Sequence, residues 1–255
     1  MSLAIKCFWK VTFLSVKYWF RHEKNCIPIL KSLLFFNKKV RVSVSAILYL
    51  EQENKYVLIK NHHRPSFYAP IGGVYKHFEP KILDEIEWNS DYTTLENKES
   101  DMKKDLRGVI YGKRLPDFID WFSKREGREN EQCIYRELRE ELLEGKVGKI
   151  LREQSSKIEF EIFRSIPEGP RSISDRDYDA QFRFFDIYKI VNSNEDTNQV
   201  LQEIVDRASR GDNNLILVSK EDILSGKIPC GEKLIAGHAK YYFTSKWHGQ
   251  EPARY

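Results

Sequence analysis

The 255 residues, 41% hydrophobic and 31% charged, can bury the core of one large α/β or α+β domain, alone or with an appendage. A net charge of +4 leaves room for an anionic ligand or surface. Without a nucleic-acid-binding module or a basic stripe in the main body of the chain, it argues against nucleic-acid binding as the main role. Four scattered cysteines, Cys7, Cys26, Cys133 and Cys230, match no zinc spacing and no secretory framework, which points to a reducing cytosol.

Residues 1–39 differ from the rest. Residues 3–20 are apolar apart from Lys6, Lys10, Lys17 and a few small polar side chains. On a helix those lysines and Arg21 fall on one narrow stripe, and aromatic and aliphatic residues such as Phe8, Trp9, Phe13 and Trp19 cover most of the remaining circumference. A second apolar stretch, 27–36, ends at Lys38, Lys39 and Arg41. Three readings stay open. One is a membrane-surface anchor, which the aromatic and basic character suits. Another is a spanning helix, which would place Lys10 near mid-bilayer at about 2.5–3.5 kcal/mol. The third is a helical lid packed on the main domain. The lysines interrupt the apolar run and no small-residue cleavage site follows, so a cleaved leader is not expected.

A β pattern begins at Val42, with Val44, Ala46 and Leu48 on one apolar face. Residues 51–54 read as a turn and 55–60 as a second strand, the two strands forming a hairpin. The basic loop that follows, Asn61-His62-His63-Arg64-Pro65, carries one candidate phosphate contact in Arg64, and Lys60 just before it is another. The run Phe-Tyr-Ala-Pro-Ile-Gly-Gly-Val then ends at Val74, where the pair Gly72-Gly73 permits close backbone approach. The polar stretch from about 78 to 105 reads as an insertion with some helix, and 106–111 as another strand. Pro116 opens a helix carrying Phe118, Ile119, Trp121 and Phe122.

The richest stretch is Arg136-Glu137-Leu138-Arg139-Glu140-Glu141, inside a helical pattern from 131 to 144 that Asn130 would cap and Gly145 and Gly148 would end. At about 100° per residue, Glu137, Glu140, Glu141 and Glu144 share one face, with Ile134, Tyr135, Leu138 and Leu142 on the adjacent arc. Clustered carboxylates repel unless something positive sits among them, and an oxygen-only acidic site suits a hard cation such as Mg²⁺ or Mn²⁺. Arg136 is placed to orient a neighbouring carboxylate. A solvated, charge-laced surface helix is the competing reading. Beyond it, strands are expected from 158 to 166 and from 181 to 191, the latter covered on both sides because both its faces are apolar. The stretch 167–177 reads as a loop. A helix over 201–208, a strand over 215–218, a short helix capped by Ser219 and a last element over 235–243 complete the pattern, and 248–255 is a polar tail.

This order resembles a Nudix hydrolase, whose box runs Gly-x5-Glu-x7-Arg-Glu-U-x-Glu-Glu-x-Gly-U, with U aliphatic. The second half matches at Arg136, Glu137, Leu138, Glu140 and Glu141. Arg128 stands where the box expects its first Glu, with Glu129 and Glu126 nearby, and Leu143 and Glu144 replace the final Gly and aliphatic residue. With Gly72-Gly73 as the natural partner of the helix, the box is split by about fifty inserted residues, a form similar to the SMODS-associated NUDIX domain of bacterial anti-phage operons. Pro70-Ile71-Gly72-Gly73-Val74-Tyr75-Lys76, Asp105-Leu106-Arg107 and Phe118-Ile119-Asp120-Trp121-Phe122 are among the landmarks.

The resemblance implies an α/β (α+β) fold, a Nudix-type α/β/α sandwich with a mixed sheet over about 40–247. It implies metal ligation by Glu137, Glu140, Glu141 and the Gly73 carbonyl, catalytic roles for Glu137 and Arg136, and substrate contacts from Lys60, Arg64 and Lys76. Two functions follow. The first is a divalent-metal-dependent hydrolase of a phosphoanhydride-containing nucleotide. The second is an effector, bound to the inner face of the cell membrane through residues 1–38, that senses a cyclic oligonucleotide with little or no turnover.

Overall fold

The computed structural model describes residues 26–61, 64–78, 80–90, 104–143, 158–174, 176–191, 194–210, 214–228 and 234–244. The expectations for residues 1–25, His62 and His63, half of the insertion, Glu144, Gly145, Gly148 and the tail lie outside them. The chain is α+β, with strands of mixed direction. It divides into two compact units, one comprising residues 1–44, 74–129 and 167–184, the other 45–73, 130–166 and 185–255. Strands β1 (Lys39–Leu48), β8 (Phe160–Ser172) and β9 (Ala180–Ile190) contribute residues to both.

In the first unit the alternating start of β1 pairs antiparallel with β7 (Arg107–Tyr111), from Lys39↔Tyr111 to Ser43↔Arg107. Strand β6 (Asn89–Ser90) adds to the far side of β7. The helix Leu115–Lys124 carries proline in its first turn and buries Leu115, Phe118, Ile119, Trp121 and Phe122, as its period predicts. Trp88, supplied by the insertion, stacks on Phe118 at 5.5 Å. Arg128 is only 4% exposed. Its guanidinium lies 3.7 Å from the Phe122 ring centroid and 4.9 Å from that of Tyr75, and it donates to the carbonyls of Phe122 and Glu129. A buried guanidinium needs such acceptors, so this departure from the expected box residue is a structural clamp.

In the second unit β2 (Glu51–Gln52), β3 (Lys55–Lys60), β4 (Phe67–Ala69), β10 (Leu215–Val218) and β11 (Leu234–Ile235) form one sheet in the order β10-β3-β4-β11, with β2 on β3. The expected β1–β3 hairpin is not formed. Glu53 and Asn54, both at positive φ, turn β2 into β3. After Leu48 the chain leaves β1, with the Leu48 amide donating to the Ile71 carbonyl and the Tyr49 amide to that of Tyr188. Ser219 caps its helix in a capping box with Asp222, as anticipated. The core centres on Leu58, Tyr68, Ile187, Ile223 and Tyr241.

Strand β8 runs on to Ser172 where a loop was expected; it is the last strand in its sheet order, and an edge tolerates the prolines within it. In β9, Phe182, Phe184 and Tyr188 are buried on one face and Phe185 and Ile187 on the other, as the two-sided apolar pattern requires. The Tyr242 hydroxyl donates to the Leu48 carbonyl at 2.6 Å in a buried setting. Tyr242→Phe is therefore expected to lower stability by about 1–2 kcal/mol, read by urea unfolding, because the carbonyl loses its partner without regaining water.

Candidate functional site

The acidic helix starts at Gln132 rather than under an Asn130 side-chain cap. Glu131 holds the cap position without a side-chain bond, and the Asn130 carbonyl accepts from the Cys133 amide. The α-helix Gln132–Leu138 buries Cys133, Ile134 and Leu138. The expected α-helix through 144 then gives way to a π turn, Arg139–Leu143. Bonds from i to i+5 put more than 3.6 residues in a turn, so the carboxylates no longer follow the 100° spacing. Leu142 stays buried, Glu141 is half-buried with its Oε2 sealed from solvent, and Glu140 is left with its side chain 49% exposed.

Glu137 lies directly against Gly73. A Cβ built on Gly73 would stand 1.9 Å from Glu137 Oε1, so only glycine leaves room for the carboxylate. Arg136 Nη1 sits 2.5 Å from the same oxygen and 3.6 Å from Glu140 Oε2. Its Nη2 faces the Cys133 sulfur at 3.7 Å, and that thiol points to the Gly73 carbonyl at 3.9 Å. Glu141 accepts a hydrogen bond from the Gly72 amide. Its Oε2 is sealed from solvent and has no hydrogen-bond partner among the described residues.

Burial first, and then the charges of Glu137 and Glu140, push the Glu141 carboxyl well above its ordinary 4.5, against the opposing pull of the Gly72 amide. A carboxyl whose folded pKa is raised favours the fold fully below its unfolded value, and that contribution is lost as pH rises through the folded value. Glu141→Gln is thus expected to raise the unfolding temperature at pH 7 and to lose most of that advantage at pH 4. Thermal unfolding at the two pH values checks it.

The structure therefore brings Glu137, Glu141, Gly72 and Gly73 together with Arg136, and turns Glu140 toward Arg136. Glu137, Glu141 and the Gly73 carbonyl are the donors that could hold a cation. Among the described residues no three acidic, His or Cys side chains converge as a ready ligand set. Lys60 ends β3, paired with Tyr68, and the Arg64 guanidinium lies 5.7 Å from the Phe67 ring centroid. Lys76 belongs to the other unit, where its amide donates to the Glu129 carboxylate and its carbonyl accepts from the Glu129 amide. Glu129 is thus engaged with backbone, and Glu126 is exposed.

Sequence reasoning missed the Cys133 contact, which no spacing signals. It also missed that Glu79 stands six residues after Gly73 and restores Gly-x5-Glu ahead of the insertion; Glu79 itself lies outside the described residues.

In comparisons with known proteins, the family model of the SMODS-associated NUDIX domain matches residues 39–243. No curated protein and no solved structure matches. Among the described residues, no helix is long and apolar enough to cross a membrane.

Proposed function

The chain belongs to the SMODS-associated NUDIX domain family, and from that premise we propose that it is a divalent-metal-dependent hydrolase of a phosphoanhydride-containing nucleotide, working in anti-phage signalling. The observation that carries this reading is the Glu141 oxygen, buried without a partner beside Glu137 and the Gly72-Gly73 backbone. A carboxylate pair so placed is unfavourable by itself and favourable around a hard cation. Bound Mg²⁺ or Mn²⁺ would polarise phosphoryl oxygens and acidify water. Glu137, Glu141 and the Gly73 carbonyl would hold the ion, with Glu140 the third carboxylate of the set. Arg136 fixes the rotamer of Glu137 through its 2.5 Å contact. Glu137 is the carboxylate proposed to take the proton from water. Lys60, Arg64 and Lys76 are proposed to meet the substrate phosphates.

A second reading is favoured by one specific observation. Ile27, Leu30, Leu34 and Phe36 are exposed at the end of the described chain, which suits an effector held at the inner face of the membrane that senses a cyclic oligonucleotide. Both readings are tested by incubating the full chain with linear and cyclic nucleotides, with and without Mg²⁺ or Mn²⁺, and scoring products and bound ligand. Metal-dependent release of a nucleoside monophosphate supports the hydrolase. Retention of an intact cyclic nucleotide supports the sensor, and neither product nor binding removes both.

A further inference from the structure

We propose that the first unit carries a docking face for an anionic lipid surface, built from two chain segments far apart in sequence. The inference rests on the membrane reading above and states which residues and which lipid class it involves.

The first segment is the helix Cys26–Ser32 with the 3₁₀ turn Leu33–Phe35. Ile29, Ser32 and Phe35 are buried, and the Ser32 hydroxyl is satisfied by the Ile29 carbonyl at 2.6 Å. The opposite side is apolar too: Ile27 is 62% exposed, Leu30 41%, Leu34 76% and Phe36 49%. A helix apolar on both sides is expected to be covered on both.

The second segment is Tyr111 and the turn Gly112–Arg114. Backbone bonds stitch it to the first: the Gly112 amide donates to the Lys38 carbonyl and the Lys113 amide to that of Phe36, each at 2.9 Å. The approach is close enough that a Cβ on Gly112 would stand 2.1 Å from the Phe35 carbonyl oxygen. Tyr111 is 37% exposed, and the Lys113 ammonium lies 5.4 Å from its ring centroid.

Charge decides the occupant. Lys31, Lys38, Lys39 and Lys113 are all exposed here. The acid placed among them is Asp179, whose carboxylate accepts from the Lys39 amide. Arg114 is occupied by Glu87 and Asp117. Aromatic and aliphatic side chains amid lysines fit the boundary between acyl chains and anionic headgroups, and each lysine near such a surface strengthens binding about fivefold.

The test is flotation of the full chain with vesicles of phosphatidylcholine alone and of equal parts phosphatidylcholine and phosphatidylserine. The full chain is expected to float with the anionic vesicles and not with the neutral ones. The double variant Lys38→Glu, Lys113→Glu should lose at least about tenfold in binding, as should Leu34→Ser with Phe36→Ser. All four positions are exposed, so the unfolding temperature should match the parent's. A charge-reversed variant that floats like the parent, or equal flotation with neutral vesicles, overturns the docking face while leaving the broader membrane reading in place. No flotation with either vesicle overturns both.

Discussion

Glu137→Gln is expected to lower metal-dependent turnover by about 10²–10⁴-fold, with no loss of folded protein. The substitution keeps the shape that packs against Gly73 and removes the charge that would hold the ion and take the proton. Two electrostatic effects on stability oppose each other. The 2.5 Å pairing with Arg136 is weakened, and the repulsion that Glu137 exerts on the Glu141 carboxylate is relieved. Stability should therefore change little, while the rise in unfolding temperature on adding Mn²⁺, which follows binding to the native state alone, should disappear. Glu140→Gln should cost clearly less, because the π turn leaves Glu140 half exposed and turned to Arg136. Equal losses for the two variants would mean that the turn rearranges around the ion. Unchanged turnover in Glu137→Gln would remove the acidic helix from the chemistry and leave the sensor reading.

The pairing of the acidic helix with the glycine turn was legible because these residue types are unusual together. Three glutamates at helical spacing, an arginine among them and a glycine pair after a strand leave few bland alternatives, and the structure places Glu137 against Gly73 and Glu141 on the Gly72 amide. The π turn was not legible. Side-chain period reports which residues are apolar, and Ile134, Leu138 and Leu142 keep the same spacing whether the last turn closes at i+4 or i+5. Strand partners were hidden for a similar reason. The β1 and β3 patterns each predict a half-buried strand, but the short β2 between them, not β1, takes the hairpin. Arg128 was visible as a departure from the box, yet its meaning depends on the Phe122 and Tyr75 rings, which sequence alone does not bring beside it.

The two glycines that frame the acidic helix should fail in different ways when given a methyl group. Gly72 has φ +156°, and its added Cβ would stand 2.2 Å from the Ala46 carbonyl oxygen and 3.0 Å from the Ile47 Cα. Both neighbours are backbone of β1, so neither can swing aside. Gly72→Ala is expected to lose about 2–4 kcal/mol of stability from strain and overpacking, seen as an early urea midpoint. At Gly73 the nearest obstacle is the Glu137 carboxylate, at 1.9 Å from the new Cβ, and a side chain can rotate away. Gly73→Ala should therefore unfold within about 1 kcal/mol of the parent and yet lose most of its turnover and its Mn²⁺-induced thermal shift, since the carboxylate has been moved off its mark. A Gly73→Ala protein that keeps full activity would show that Glu137 does its work, if any, from another position. A Gly72→Ala protein as stable as the parent would show that β5 (Gly72–Val74) is not held as closely to β1 as the geometry requires.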